Sequence, residues 1–181
     1  MKAIIKTIDI KRLVKSTRHF MSKDETRPLL NFIRLDFDSE RKTCKAVALD
    51  GFRLSEETSE LKFIDESFSV YIKPYLPVGI KNETVTIELI GNRCFIDAGD
   101  SSVGYEQPHG KKFSTKPVLE GLQSNPVLSE IYVNGDFLID ALKSIQNKDT
   151  YEPIRIEYRG DKHAILLKTE KSVRLVMPSK H

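Results

Sequence analysis

Residues 30–37 set the strongest limit on what this chain can fold into. Leu30, Phe32, Ile33, Leu35 and Phe37 are apolar, and Asn31, Arg34 and Asp36 stand between them. This is close to the two-residue alternation of a strand with one buried and one wet face. Asp38-Ser39-Glu40-Arg41-Lys42 follows as polar turn chemistry. Cys44, Ala46, Val47, Ala48 and Leu49 form a return strand, and Asp50-Gly51 supplies a tight turn into Phe52-Arg53-Leu54. An antiparallel meander is therefore expected near the start of the chain.

Helical signals flank it. Residues 1–7 read as a short strand, and Asp9 is placed to cap a helix running to about Ser22. Ile10, Leu13, Val14, Phe20 and Met21, with Thr17, form one apolar stripe. Lys11, Arg12, Lys15, Arg18 and His19 occupy the other faces, and no acid occurs from Ile10 to Ser22. A solvated helix usually mixes signs to gain i,i+4 pairs. A helix of one sign is either a basic surface with no partner or one that faces a polyanion. Glu56, Glu57 and Glu60 read as an acidic strand end on an outer surface, and 61–64 closes a first unit of strand, helix and three strands.

A second unit starts with the strand 68–72. Lys73-Pro74-Tyr75-Leu76-Pro77-Val78-Gly79-Ile80 follows, and two prolines and a glycine exclude a regular helix there. Strands are expected at 84–90, 93–98 and 102–107. Residues 108–127 are aperiodic and read as a linker, with Val118, Leu119 and Leu122 tacking it to a core. In a third unit, 130–133 reads as a strand and Asn134 caps a helix. That helix carries Phe137, Leu138, Ala141, Leu142 and Ile145 on one face. Strands follow at 154–158, 163–168 and 172–177. The expected class is α+β, with boundaries 1–115 (units 1–64 and 66–107), linker 108–127 and 128–181.

The net charge of +3 does not by itself announce a nucleic-acid binder. Cys44 and Cys94 fall inside strands and read as buried thiols in a reducing compartment. With no long apolar run and no leader pattern, the expectation is a cytoplasmic protein without a membrane partner. Catalytic signals are missing. Asp36 and Asp38 could hold Mg²⁺ in principle, but no third ligand stands near. Asp97 and Asp100 flank a turn, and His19, His109, His163 and His181 are scattered, with no nucleophile at a recognisable spacing. No catalytic residue, metal or cofactor is expected.

Two runs carry a resemblance. Lys-Asp-Glu-Thr-Arg-Pro-Leu-Leu-Asn at 23–31 and Ala-Leu-Asp-Gly-Phe-Arg-Leu-Ser at 48–55 resemble the middle domain of the bacterial sliding clamp, the DNA polymerase III beta subunit family. The run 130–145 resembles the start of that family's last half-domain, and Leu175-Val176-Met177-Pro178 its C-terminal tail. The resemblance covers most of the chain, but as three half-domains rather than six. It implies a DNA clamp-like fold of repeated β-α-β-β-β units, antiparallel sheets outside and helices on one face, the second unit lacking its helix.

In function, the resemblance implies a non-catalytic processivity factor that encircles or sits on duplex DNA without reading sequence. Lys11, Arg12, Lys15 and Arg18 would meet phosphates. A groove for a short hydrophobic peptide would use Arg27 and Leu29 as one wall and Leu49, Gly51, Phe52, Arg53 and Leu54 as a second. Leu175, Met177, Pro178, Ser179 and Lys180 would close it. Leu49 stands where the family has a threonine, Phe52 a histidine and Lys180 an arginine. The implied partners are a DNA polymerase, other proteins carrying clamp-binding peptides, a clamp loader and further copies of the chain. The family's ring holds twelve half-domains, so three per chain would call for four chains. The competing reading is a clamp-derived module that binds such peptides without encircling DNA.

Overall fold

The structure is a computed structural model describing residues 1–77, 81–110, 113–115, 130–146, 152–159, 163–169 and 172–179. Val78, Gly79, Ile80, Val118, Leu119, Leu122 and Lys180, all named above, lie outside the described residues. The chain divides into two compact units, Met1–Ser114 and Thr115–His181.

Unit 1 contains two modules. The first runs β1 (Lys2–Lys6), α1 (Thr7–Thr17), β2 (Ile33–Asp38), β3 (Thr43–Leu49), β4 (Leu54–Glu60) and a short β5 (Phe63–Ile64). The second runs β6 (Phe68–Ile72), β7 (Thr84–Ile90), β8 (Arg93–Asp97) and β9 (Ser102–Glu106). Described residues 73–77 form no helix, as their prolines require. The modules exchange their first strands. One antiparallel sheet has the order β5-β1-β7-β8-β9 and the other β4-β3-β2-β6, so β1 joins the second module's meander and β6 the first's. Ala3 and Ile5, Ile10 and Leu13, Ile33 and Leu35, Val70 and Ile72, and Val85, Ile87 and Ile96 consequently share one fully buried core.

Several local expectations need correction. The first helix begins at Thr7 rather than after Asp9, because the Thr7 amide donates to Glu83 O (2.8 Å) and its hydroxyl to Asn82 O (2.5 Å). Asp9 lies in the first turn, where it complements the helix dipole. The helix ends at Thr17, and Arg18–Phe20 tightens into a 3-10 turn. The first meander strand starts at Ile33, since Pro28 opens a 3-10 turn over Pro28–Asn31. The polar face of β2 is not wet at Arg34, which is 3% exposed. The Phe113 ring lies 4.4 Å from its guanidinium, the Phe113 carbonyl accepts from it, and Asp36 pairs with it at 2.9 Å. Phe113 falls within the stretch read as linker.

Unit 2 holds α2 (Gly135–Ile145) and one antiparallel sheet of β10 (Arg155–Glu157), β11 (Ile165–Lys168) and β12 (Val173–Val176), in that order. Asn134 caps α2, its Oδ1 accepting from the amides of Asp136 and Phe137 (2.9 and 3.2 Å). Ile145, Ile165 and Leu167 are the buried centre, with Leu138, Ala141, Leu142 and Val133 against them. Phe137, expected on the buried face, is 64% exposed, since it sits on the flank of the helix. Residues 130–133 are not a strand. Val133 makes one antiparallel bridge, to Pro178, whose missing N–H cannot extend a ladder.

Leu35 lies at the centre of the shared core of unit 1 and is fully buried. Leu35→Ala should cost about 2–5 kcal/mol, read as a lower urea midpoint with unchanged slope.

Candidate functional site

Three turns of the first module share one construction. Asp24-Glu25-Thr26-Arg27, Asp38-Ser39-Glu40-Arg41 and Asp50-Gly51-Phe52-Arg53 each place an aspartate three residues before an arginine. Asp24 Oδ1 accepts from the Thr26 amide and hydroxyl (2.9 and 2.6 Å), while Oδ2 accepts from Arg27 Nε (2.8 Å). Asp50 Oδ1 accepts from the amides of Phe52 and Arg53 (both 2.9 Å), and Oδ2 from Arg53 Nε and Nη2 (3.0 and 2.7 Å). Asp38 Oδ1 caps the amides of Glu40 and Arg41, with Arg41 4.0 Å away. Charge-assisted bonds of this kind fix a loop that has little apolar area to bury.

The bonds also set the acidity. Thr26 and then Arg27 hold Asp24 down at about 2, and Arg53 with the Phe52 amide does the same for Asp50.

The first and third of these turns meet. Gly51 has φ +96°, and a Cβ built there would lie 2.8 Å from Arg27 Nη1. Arg27 therefore rests on the Gly51 backbone. Arg53 also reaches the His19 carbonyl (3.1 Å) and lies 5.4 Å from the Phe20 ring. Leu49 and Leu54 are register partners at the root of the hairpin, both half-buried. Phe52 at its tip is 94% exposed. Leu29 is half-buried and packs toward Gly110 rather than Gly51. The structure thus brings Arg27, Gly51 and Arg53 together in unit 1, with Phe52 standing free above them. Sequence reasoning missed Asp24, Asp50, His19 and Phe20, although the repeated aspartate-to-arginine spacing could have revealed the two acids.

In unit 2, Leu175 and Met177 are 59% and 60% exposed, and with Val173 they alternate along one side of β12. Pro178 bridges to Val133, and the Ser179 amide donates to Tyr132 O (2.7 Å). The tail is held by backbone bonds while Val173, Leu175 and Met177 face outward and Val176 is buried.

Lys11, Arg12 and Lys15 on α1, and Arg18 in the 3-10 turn after it, are exposed. Arg12 is not free: it pairs with Glu57 and donates to Thr58 O (3.0 Å). Glu56 pairs with Lys45 (3.6 Å), so the acidic strand β4 is partly neutralised by its neighbours. A cavity of about 510 Å³ at the start of α1 is lined by Lys6, Lys11, Lys62 and Lys81, with Glu83 the one acid among the described residues. Lys62 and Lys81 were not foreseen as part of this surface, since only the pairing of β1 with β5 and β7 brings them to α1. Asp36 and Asp38 are engaged by Arg34, Ser69 and backbone amides. Cys44 and Cys94 are buried free thiols, and burial pushes Cys94 up to about 12.

No family model matches the sequence, and no curated protein matches it. Solved structures do match. The beta subunit of Streptococcus pyogenes DNA polymerase matches at TM-score 0.77 and 17% identity, over 99% of this chain and 50% of that one. The Pseudomonas aeruginosa DNA polymerase III subunit beta matches at 0.75 and 16%, over 100% and 52%. The Bacillus subtilis DNA polymerase sliding clamp matches at 0.55 and 16%, over 100% and 64%. The chain therefore has the α+β sliding-clamp fold, and it spans about half the length of the beta subunits from Streptococcus and Pseudomonas.

The two lowered carboxyls give a pH test. They titrate at about 2 when folded, against roughly 3.9 in a free chain. Their contribution is full above that free-chain value and is lost as pH falls through about 2. A carboxyl NMR titration should find Asp50 with a midpoint near 2, moving upward in Arg53→Met.

Proposed function

We propose that this chain is a non-catalytic, sliding-clamp-like processivity factor of the cytoplasm. In this reading it sits on or encircles duplex DNA and docks replication and repair proteins through hydrophobic peptides. The observation that carries the reading is the clamp fold together with the basic surface of α1 beyond Asp9 in its first turn. Lys11 and Lys15 on α1 and Arg18 just past its end are exposed, and Lys6, Lys62 and Lys81 extend the same positive field. Cations on flexible stems bind phosphates without reading bases and exchange readily, which suits movement along a duplex. Retention then comes from self-association around the DNA rather than from tight binding.

Peptide docking is assigned to two surfaces. One is the Arg27, Leu29, Leu49, Gly51, Phe52, Arg53 and Leu54 region of unit 1. The other is Leu175, Met177, Pro178, Ser179 and Lys180 of the C-terminal tail. Exposed phenylalanine, leucine and methionine side chains supply the apolar anchors such a peptide needs. A DNA polymerase and a clamp loader are the partners this reading requires.

The second reading is a peptide-binding module that does not encircle DNA. Two observations favour it: 73–77 forms no helix, and Arg12 is already paired with Glu57.

Retention on nicked circular DNA, lost when the circle is linearised, separates the two readings. Replacing Lys11, Lys15 and Arg18 together by glutamate should abolish retention and spare peptide binding. Equal retention removes the role of the basic helix. Conversely, Phe52→Ala or Met177→Ala should weaken a polymerase-derived peptide about tenfold, or about 1.4 kcal/mol, in a fluorescence anisotropy titration, and leave retention intact.

A further inference from the structure

Several cations of unit 1 are matched to acids. Lys2 meets Glu88 (2.9 Å), Arg12 meets Glu57, and Lys45 meets Glu56 (3.6 Å). The cavity at the start of α1 departs from this pattern. Lys6, Lys11, Lys62 and Lys81 line it, and none of their ammonium groups has a hydrogen-bond or ion-pair partner among the described residues. Like charges around one cavity repel each other, so the side chains do not hold this arrangement together.

The backbone holds it instead. The walls come from three stretches far apart in the chain and tied to one another. The Lys62 amide donates to Ile4 O (2.8 Å), the Thr7 amide to Glu83 O (2.8 Å) and the Thr7 hydroxyl to Asn82 O (2.5 Å). The Asn82 side-chain amide donates in turn to Ala98 O. Lys81 and Asn82 belong to the connection between β6 and β7, which stands in the order where α1 stands in the first module. One wall of the cavity is thus made by the stretch that has no regular helix at 73–77.

A cavity of about 510 Å³ lies within the roughly 300–1,000 Å³ of small-molecule clefts. A single carboxylate or phosphate is too small to meet four ammonium groups spread around it. Lysine binds phosphate as a point charge on a flexible stem, with donors only, and a run of phosphate oxygens satisfies several such donors at once. We propose that this cavity binds a polyphosphate chain, of the kind that a nucleoside triphosphate carries. Glu83 repels phosphate from its own side, and Ile8, 74% exposed, offers the rest of a nucleotide an apolar surface. This gives Lys6, Lys62 and Lys81 a ligand of their own, and it does not depend on the chain encircling DNA.

Calorimetric titration of the full chain at physiological salt, with ATP, AMP and inorganic tripolyphosphate as probes, tests it. ATP and tripolyphosphate should bind about tenfold tighter than AMP. Lys62→Gln combined with Lys81→Gln should weaken ATP about tenfold. The charge-matched control, Lys23→Gln combined with Lys42→Gln outside the cavity, should change it less than twofold. All four lysines are exposed, so the fold should be unaffected. Ile8→Ser separates the two sources of the chain: it weakens ATP alone where a nucleotide is held, and neither probe where the phosphates suffice, and either result supports the site. Amide NMR shifts on adding ATP should concentrate at Lys6–Lys11, Lys62 and Lys81–Thr84. AMP binding as tightly as ATP, a Lys62/Lys81 variant that behaves like the control, or shifts concentrated elsewhere each overturns the proposal. A short duplex that binds through Lys62 and Lys81 where ATP does not bind assigns these lysines to DNA and also overturns it. ATP binding without retention on circular DNA removes the clamp reading and keeps this one; retention without ATP binding does the reverse.

Discussion

The fold of unit 1 depends on the trade of β1 and β6 between its two sheets. Short segments bury a small share of their surface alone, and the two modules share one core. Once β1 lies between β5 and β7, Ala3 and Ile5 are buried with Val85 and Ile87. Once β6 lies beside β2, Val70 and Ile72 are buried with Ile33 and Leu35. The placement of α1 follows, since it leaves β1 without an intervening loop and packs on β3 and β4. That position brings Arg12 to Glu57 and presents Lys11, Lys15 and Arg18 to solvent.

The surface loops use a different device. Asp24, Asp38 and Asp50 each cap amides that follow them and reach an arginine three residues on. Burial contributes little here, so the geometry of the turns comes from ions and dipoles. Gly51 then matters for its lack of a side chain, which lets Arg27 lie against the hairpin. Exposed phenylalanine at position 52 is the exception in a region otherwise held by polar bonds.

The β-α-β-β-β order of the first module, the strands of the second and the cap at Asn134 were legible in the sequence. Alternation and capping are local signals, carried by residues close in the chain. What the sequence concealed was set by distant partners. Arg34 looked solvent-facing because its period matched the polar side of β2, yet Phe113 covers it from 79 residues away. The helix start moved to Thr7 because Asn82 and Glu83 offered better partners than a local cap. Of the candidate site residues, Arg27, Gly51 and Arg53 came together through the aspartate turns, whereas Leu29 turned toward Gly110. Arg12 read as a free cation only because the acid that meets it lies on β4, 45 residues on.

The cover over Arg34 has a bearing on where unit 1 can be severed. Its last strand ends at Glu106, but Gln107 secures Tyr71 and Phe113 shields the guanidinium. A fragment trimmed at the strand's end would uncover a cation that is paired with Asp36. It would also bare the outer surface of β2 and β6 to water. The indivisible body thus extends several residues past its final strand, and a protease acting on the intact chain would have to cut beyond Phe113 to release it whole.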